Sequence, residues 1–314
     1  MTMIDNTGAG ALPGRPRSER DRIRRRPHRA SRNAFLSPAL ILIGVFTIVP
    51  IVLTFIISFS DWSMLTPLTQ LRWVGLKNYG SVLTSPSVLG AFKNTVIYVA
   101  ASVVITVPLA MAFALLLYTP VLRGRNIVRA LLFATYVVPT TSIVIVWSNI
   151  YASGYGPLST MLSAVGIHPP GWLSDPRWSL YSLVIFNVWQ MLGYYVVLLI
   201  AGLTQVPEEL YEAAKLDGAG FLRQTWSVTL PLVRRSLFFV GLMTLINSIQ
   251  VFDPVYLLTQ GGPAGSTETI SYDIQRAAFQ YGQAGQASAM AVTLFMLLIV
   301  VGVIISAFMR RRRA

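Results

Sequence analysis

Cysteine is absent from the 314-residue chain, and only two histidines occur, His28 and His168. The first absence excludes a disulfide scaffold, a thiolate metal site and a cysteine nucleophile. Both histidines lie in polar stretches beside prolines, which argues against a histidine-based metal site or catalytic triad, so no metal site is expected. Charge is scarce as well: 12% of residues are charged, about half the share in an ordinary soluble domain. No G-x-x-x-x-G-K-[ST] run occurs, since Gly261-Gly262 and Gly218/Gly220 lack the Lys-Ser or Lys-Thr that would follow. The chain is therefore not expected to hydrolyse ATP, and no catalytic residue is assigned.

Apolar residues make up 54% of the chain, too many for a soluble surface to cover. A bilayer core is crossed by about 20 consecutive apolar residues. Six segments qualify: 35–60, 94–117, 130–150, 180–203, 236–258 and 288–309. The reading is an all-α integral membrane protein with one membrane domain over 35–309, a basic tail over 1–34 and a basic end at 310–314. Pro38, Pro50 and Pro108 fall in the first two spans, and Pro139 with Thr140 and Thr141 in the middle of the third. Each is tolerable where neighbouring groups satisfy the freed carbonyl.

Positive charge orients the chain. The net formal charge is +13, and 20 of the 25 Lys and Arg fall in the N-terminal tail, the second and fourth connections and the C-terminus. That bias places both termini in the cytoplasm. The run from Arg15 to Arg32 carries nine arginines. By itself it resembles a nucleic-acid arm. Beside so apolar a chain it reads as a tail against anionic lipid head groups, with no nucleic acid as partner. About thirty polar residues precede the first apolar run, so a secretory signal peptide is not expected. In the outer loops, Trp62, Trp73, Tyr79, Trp172 and Trp178 suit an interfacial aromatic belt.

The 204–235 loop carries most information. Pro207 suits a first helical position, and Glu208 and Glu209 follow in the first turn, where the helix dipole favours negative charge. Leu210, Ala213 and Ala214 share a face. Gly218 stands where a left-handed residue stops a helix. A second short helix is predicted from Phe221 to Thr229, before Pro231 opens the fifth span. Small Ala213, Ala214 and Gly218 permit close approach, while Glu208, Glu209, Tyr211, Glu212 and Asp217 offer polar contacts. Residues alone leave two readings open, a knob docking on a cytoplasmic partner and an amphipathic loop on the membrane.

Glu212-Ala213-Ala214, then Gly218, then Leu230-Pro231 resembles the EAA–G–LP motif of permease subunits in binding-protein-dependent ABC importers. Pro207 to Ala219 is similar to the carbohydrate and glycerol-phosphate branch, specifically its maltose-type first permease. Phe252-Asp253, Tyr256 to Pro263 and Ser266-Thr267 resemble that branch's outer-loop pattern. Weaker matches are Gly75 to Tyr79, Asn94-Thr95 and Gly285 to Ala289. The resemblance covers about 35–309 and omits the tail, and the extra N-terminal spans of some maltose-type subunits are lacking.

This resemblance implies a type I ABC importer permease fold in the bacterial cytoplasmic (inner) membrane. It implies a second homologous permease subunit, two cytoplasmic ATPase subunits and an extracytoplasmic solute-binding protein. ATP and Mg would sit on the partner ATPase, with no cofactor on this chain. The elbow, Glu208, Glu209, Tyr211, Glu212, Ala213, Ala214, Asp217, Gly218 and Pro231, would couple to the ATPase. Polar residues deep in spans are expected to face a cavity or a partner. Asn187, Gln190 and Tyr194 share one face of the fourth span, Thr244, Asn247 and Ser248 one of the fifth, and Tyr136 and Thr140 lie on the third. They are the expected substrate pathway; the alternative is that they bond neighbouring helices.

No Lys or Arg falls within the predicted spans, which favours a neutral sugar or polyol over glycerol 3-phosphate or a glycerophosphodiester. An ion-coupled secondary transporter would place ionisable groups at the midplane. The spans hold one acid, Asp253, near the outer end of the fifth. A membrane-embedded enzyme would need an acid or histidine cluster, which the sequence lacks.

Overall fold

The computed structural model describes residues 27–119 and 122–311. Most of the basic tail, residues 1–26, lies outside them, as do 312–314 of the basic end. Two compact units are distinguished, residues up to Leu53 and those from Thr54 onward.

The first unit is helical: α1 (Pro27–Ile43), a π-helical turn (Gly44–Ile48) and the start of α2 (Val49–Ile57). Together Phe35–Ile57 form one apolar rod long enough to cross a bilayer. Pro50 has no N–H to donate to the carbonyl four residues back. The turn before it widens, and the Val49 N–H reaches back five residues to Gly44.

In the second unit a minimal antiparallel ribbon comes first, β1 (Ser60–Asp61) against β2 (Arg72–Trp73). The Asn78 amide clamps it by donating to the Ser58 and Ser60 carbonyls at 2.9 and 2.8 Å. Phe59 stacks on Trp73, ring centroids 5.5 Å apart. Then follow α3 (Lys77–Thr84) and α4 (Pro86–Tyr118). At 33 residues α4 is about 50 Å long, well beyond the predicted 94–117 and beyond a bilayer core of about 30 Å. Pro86 at its first turn explains the early start.

The third predicted span is not one rod. It is α5 (Arg125–Val137) and α6 (Thr140–Ile150), bent by 102°. Pro139 disfavours helical backbone at the residue before it, and Val138 is accordingly extended (ψ 129°). The straight 130–150 helix is thus corrected to a broken element. After α7 (Pro157–Ala164) comes α8 (Ser179–Leu203), close to the predicted 180–203.

The short helix α9 (Glu208–Leu216) leads through a turn to α10 (Phe221–Gln224), a π-helical turn (Thr225–Thr229) and α11 (Leu230–Ile249). Here the prediction of a separate second helix is corrected: Phe221–Ile249 is one continuous helix. Pro231 sits inside it rather than opening it, and the preceding turn again widens, with the Leu230 N–H bonded to Thr225. The predicted fifth span, 236–258, is also corrected. The helix ends at Ile249, with Gln250 as its C-cap and its N–H bonded to the Ile246 and Ser248 carbonyls. Residues 252–283 instead fold as a lobe containing α12 (Ile270–Gln275), before α13 (Ala284–Arg311).

Helix α8 is the axis of this unit. It packs on α4, α5 and α11, and its Leu183, Phe186, Leu199 and Leu203 are fully buried. Glycine permits two close crossings, as expected between helices in lipid. A Cβ on Gly193 would overlap the Leu132 carbonyl of α5, and one on Gly202 the Ser236 hydroxyl of α11. Trp172 differs from its predicted interfacial role. It is 7% exposed, packs with Trp147, Tyr151 and Phe186, and donates from Nε1 to Ser159. Trp178 remains 45% exposed.

Candidate coupling elbow and polar pathway

The elbow is built by local rules. Pro207 is the residue before α9 rather than its first, with extended backbone (φ −59°, ψ 135°). Glu208 and Glu209 occupy the first turn and Lys215 the last, both favourable to the helix dipole. Gly218 has φ +74°. Its N–H bonds to Lys215 and that of Ala219 to Ala214, the paired C-terminal closure that a left-handed glycine allows. The turn holds the axis of α9 off that of the following helix. One side chain ties them, Tyr211 to Thr229 at 3.2 Å through their hydroxyls.

What the elbow leaves open is more telling. Glu208, Glu209, Glu212, Ala213 and Asp217 are exposed, and none of these acids forms an ion pair among the described residues. Tyr211 and Ala214 are half-buried. Sequence reasoning missed the apolar part of this surface: Leu216 is 90% exposed, Leu222 72%, Trp226 70% and Phe221 58%. A signal was present, since Trp226 and Leu222 interrupt a polar stretch at helical spacing. Acids unpaired within the chain beside bare apolar side chains make a surface suited to a protein partner.

The expected pathway residues divide into two groups. Tyr136 stacks on Tyr194 with centroids 4.6 Å apart, and Gln190 donates to Thr140 Oγ1 at 2.9 Å. These four residues meet where α5 and α6 bend around α8. Tyr136 is 40% exposed, so the stack opens to the surroundings of the chain. Asn187 instead lies buried against Ser102 of α4 at 3.5 Å, which is the helix-bonding alternative. Thr244 donates to its own helix at Val240 and is buried, as is Ser248. Asn247 is exposed and donates to the Tyr195 hydroxyl at 3.0 Å, a partner that sequence reasoning did not single out.

The motif over Phe252 to Thr267 folds into a lobe with many internal bonds, although Gln275 Oε1 and Arg276 Nε are buried without a partner among the described residues. Thr267 Oγ1 lies within hydrogen-bonding distance of Thr259 and Gly262, Tyr272 donates to Gln260, and the Gly262–Pro263 peptide is cis. Arg276 bridges Glu268 and Asp273, and its guanidinium lies over the Tyr272 and Tyr281 rings. Burial pushes the Asp273 carboxyl above its ordinary value, an effect that Arg276 opposes. Asn94 ties α4 to this lobe through the Gly265 and Glu268 carbonyls, and Thr95 accepts from the Ile270 N–H. The stretches that resembled the family only weakly are thus the ones that pin its loops. Among the described residues no cluster of three or more metal-ligating acids or histidines occurs.

Helices able to cross a membrane, a broken span and an exposed elbow between two of them define a polytopic membrane protein. The family model for the binding-protein-dependent transport system inner membrane component matches residues 80–314, and the chain belongs to that family. It is 35% identical over 265 residues to the trehalose/maltose transport system permease protein MalF of Thermococcus litoralis, across 83% of this chain and 88% of that one. To the lactose transport system permease protein LacF of Rhizobium radiobacter it is 31% identical over 255 residues, 79% and 83% respectively. The fold matches a chain in the crystal structure of a bacterial ABC transporter importing the acidic polysaccharide alginate. The TM-score is 0.78 at 21% identity, over 90% of this chain and 96% of that one. The protein is an inner-membrane ABC importer permease subunit, which sets aside the ion-coupled secondary transporter and the membrane enzyme.

Proposed function

We propose that this chain forms half of the translocation pathway for a neutral sugar or polyol, and that α9 couples it to a cytoplasmic ATPase. In this reading both termini are cytoplasmic. A second, homologous permease completes the pathway, two ATPase subunits bind and hydrolyse ATP with Mg, and an extracytoplasmic binding protein delivers the solute. The observation that carries the coupling role is the exposed surface of Glu209, Glu212, Ala213 and Leu216 on α9. Phe221, Thr244 and Asn247 stand on one continuous helix, so closure of the ATPases would rock the spans between inward- and outward-open states.

The Tyr136–Tyr194 stack and the Gln190–Thr140 pair supply ring faces and neutral hydrogen-bonding groups, which suit a polyhydroxylated solute. The relatives named for maltose, trehalose and lactose support this substrate class. The test is to purify the cognate binding protein and measure its affinity for sugars, polyols and glycerophosphodiesters. Tight binding of a neutral sugar is expected. Binding of phosphorylated ligands alone would overturn the substrate class. Transport in liposomes without any ATPase would overturn the coupling.

A further inference from the structure

Between α9 and the end of α4 the chain forms an open cavity of about 650 Å³. Its walls are the last turn of α4, the first residue of α5, one face of α9 and the start of α10. Glu208, Tyr211 and Lys215 lie at i, i+3 and i+7, so one stripe of α9 faces this space; Glu212, four residues after Glu208 and three before Lys215, flanks that stripe, and Glu209 and Leu216 lie further round the helix. The volume lies in the range of small-ligand sites.

The chemistry of the walls is specific. Leu115, Tyr118 and Phe221 make an apolar slope that begins in the last turn of the long span α4. Arg125 stands at its edge, half-buried, and donates one Nη1 bond to the Tyr118 carbonyl at 3.2 Å, which leaves the rest of the guanidinium fork available. Lys215 enters from α9 and makes no ion pair among the described residues. Glu208 supplies one negative charge, so two cations face one anion. A cation pair above an apolar slope, at the end of a helix long enough to cross a bilayer, matches an anionic head group joined to acyl chains. A soluble anion would not use the slope.

We propose that this cavity binds an anionic phospholipid, with its phosphodiester on Arg125 and Lys215 and its first methylenes along Leu115, Tyr118 and Phe221. Occupancy supports α9 and sets the pose that the elbow presents to the ATPase. The second statement rests on the coupling role proposed above; the first does not.

The test uses the assembled transporter in nanodiscs of phosphatidylcholine with increasing phosphatidylglycerol. Lipid retained after detergent exchange is counted by mass spectrometry, and solute moved per ATP is measured in matching proteoliposomes. Wild type is expected to retain phosphatidylglycerol preferentially and to gain coupling with it. Lys215→Gln should retain at least threefold less and lose the response, whereas Arg234→Gln with Arg235→Gln, outside the cavity, should behave as wild type. Arg125→Gln is a second variant, and Lys215→Gln decides the matter if that one fails to assemble. Equal retention in Lys215→Gln and wild type would overturn the site. So would displacement of the lipid by millimolar glycerol phosphate, which would mark a soluble-anion site. If retention depends on Lys215 but Glu212→Lys still binds the ATPase and transports normally, the lipid site stands and the coupling role of the elbow falls.

Discussion

The elbow and the 252–283 lobe are both loops between spans, both rich in polar residues and both carriers of family-like motifs, yet their bonding differs. In the 252–283 lobe, Arg276 pairs with Glu268 and Asp273, Thr267 donates to Thr259, and Tyr272 donates to the Gln260 carbonyl. In the elbow, Glu209, Glu212 and Asp217 have no cationic partner among the described residues, and Leu216 is 90% exposed. A polar motif bonded within the chain holds the fold; one left open is available to another molecule. Position in a motif does not distinguish the two, but the bonding does.

Substitutions can break this contrast, and their effects on the stability of the assembled complex should fall in a definite order. Arg276→Met strips the partner from two acids at once and should cost about 3 kcal/mol, read as a lowered unfolding temperature of the purified complex. An unchanged temperature would show that the lobe is not self-supporting. Gly193→Val forces a side chain into the Leu132 backbone and should cost about 2 kcal/mol or more, with poor insertion and yield. Gly218→Val meets no neighbour but must hold φ +74°, at about 1–2 kcal/mol. It should fold, yet transport less solute per ATP.

Smaller effects sharpen the comparison. Tyr194→Leu removes the stack on Tyr136, worth about 1 kcal/mol, and should raise the solute concentration needed for half-maximal transport. Labelling of single cysteines at 136, 194 and 247, in a chain with no cysteine of its own, should respond to substrate and ATP; the same probe at 187 should be silent. Glu212→Lys should shift stability by less than about 0.5 kcal/mol, as an exposed and unpaired group must. Its effect should appear instead in lost ATPase pull-down and transport.

How far the sequence could be read follows the same division. The spans at 180–203 and 288–309 were legible because nothing competes with their apolar runs. The elbow was legible from Glu208 to Gly218 because capping and dipole effects are local. The bend at Pro139, the continuity through Pro231 and the early end at Ile249 were not. Proline frees a carbonyl, and what happens next depends on whether the preceding turn widens, as at Thr225–Thr229, or the chain turns away, as at Val138. Asn187 looked like Gln190 and Tyr194 on a helical wheel. Which neighbour each one meets is set by the packing of α4 and α5 around α8, and a wheel does not contain that information.

If α9 couples to the ATPase as proposed, the continuity of Phe221–Ile249 makes the elbow one end of a lever. Its arm is about 43 Å long at the usual rise per residue, and it carries Thr244 and Asn247 near the far end. A rigid arm multiplies a small push at Phe221 into a larger sweep at its tip. The widened turn at Thr225–Thr229 sits close to the loaded end, where it acts as the compliant joint. Stiffening that joint would transmit more of each stroke, and loosening it would let the ATPase move while the pathway stood still.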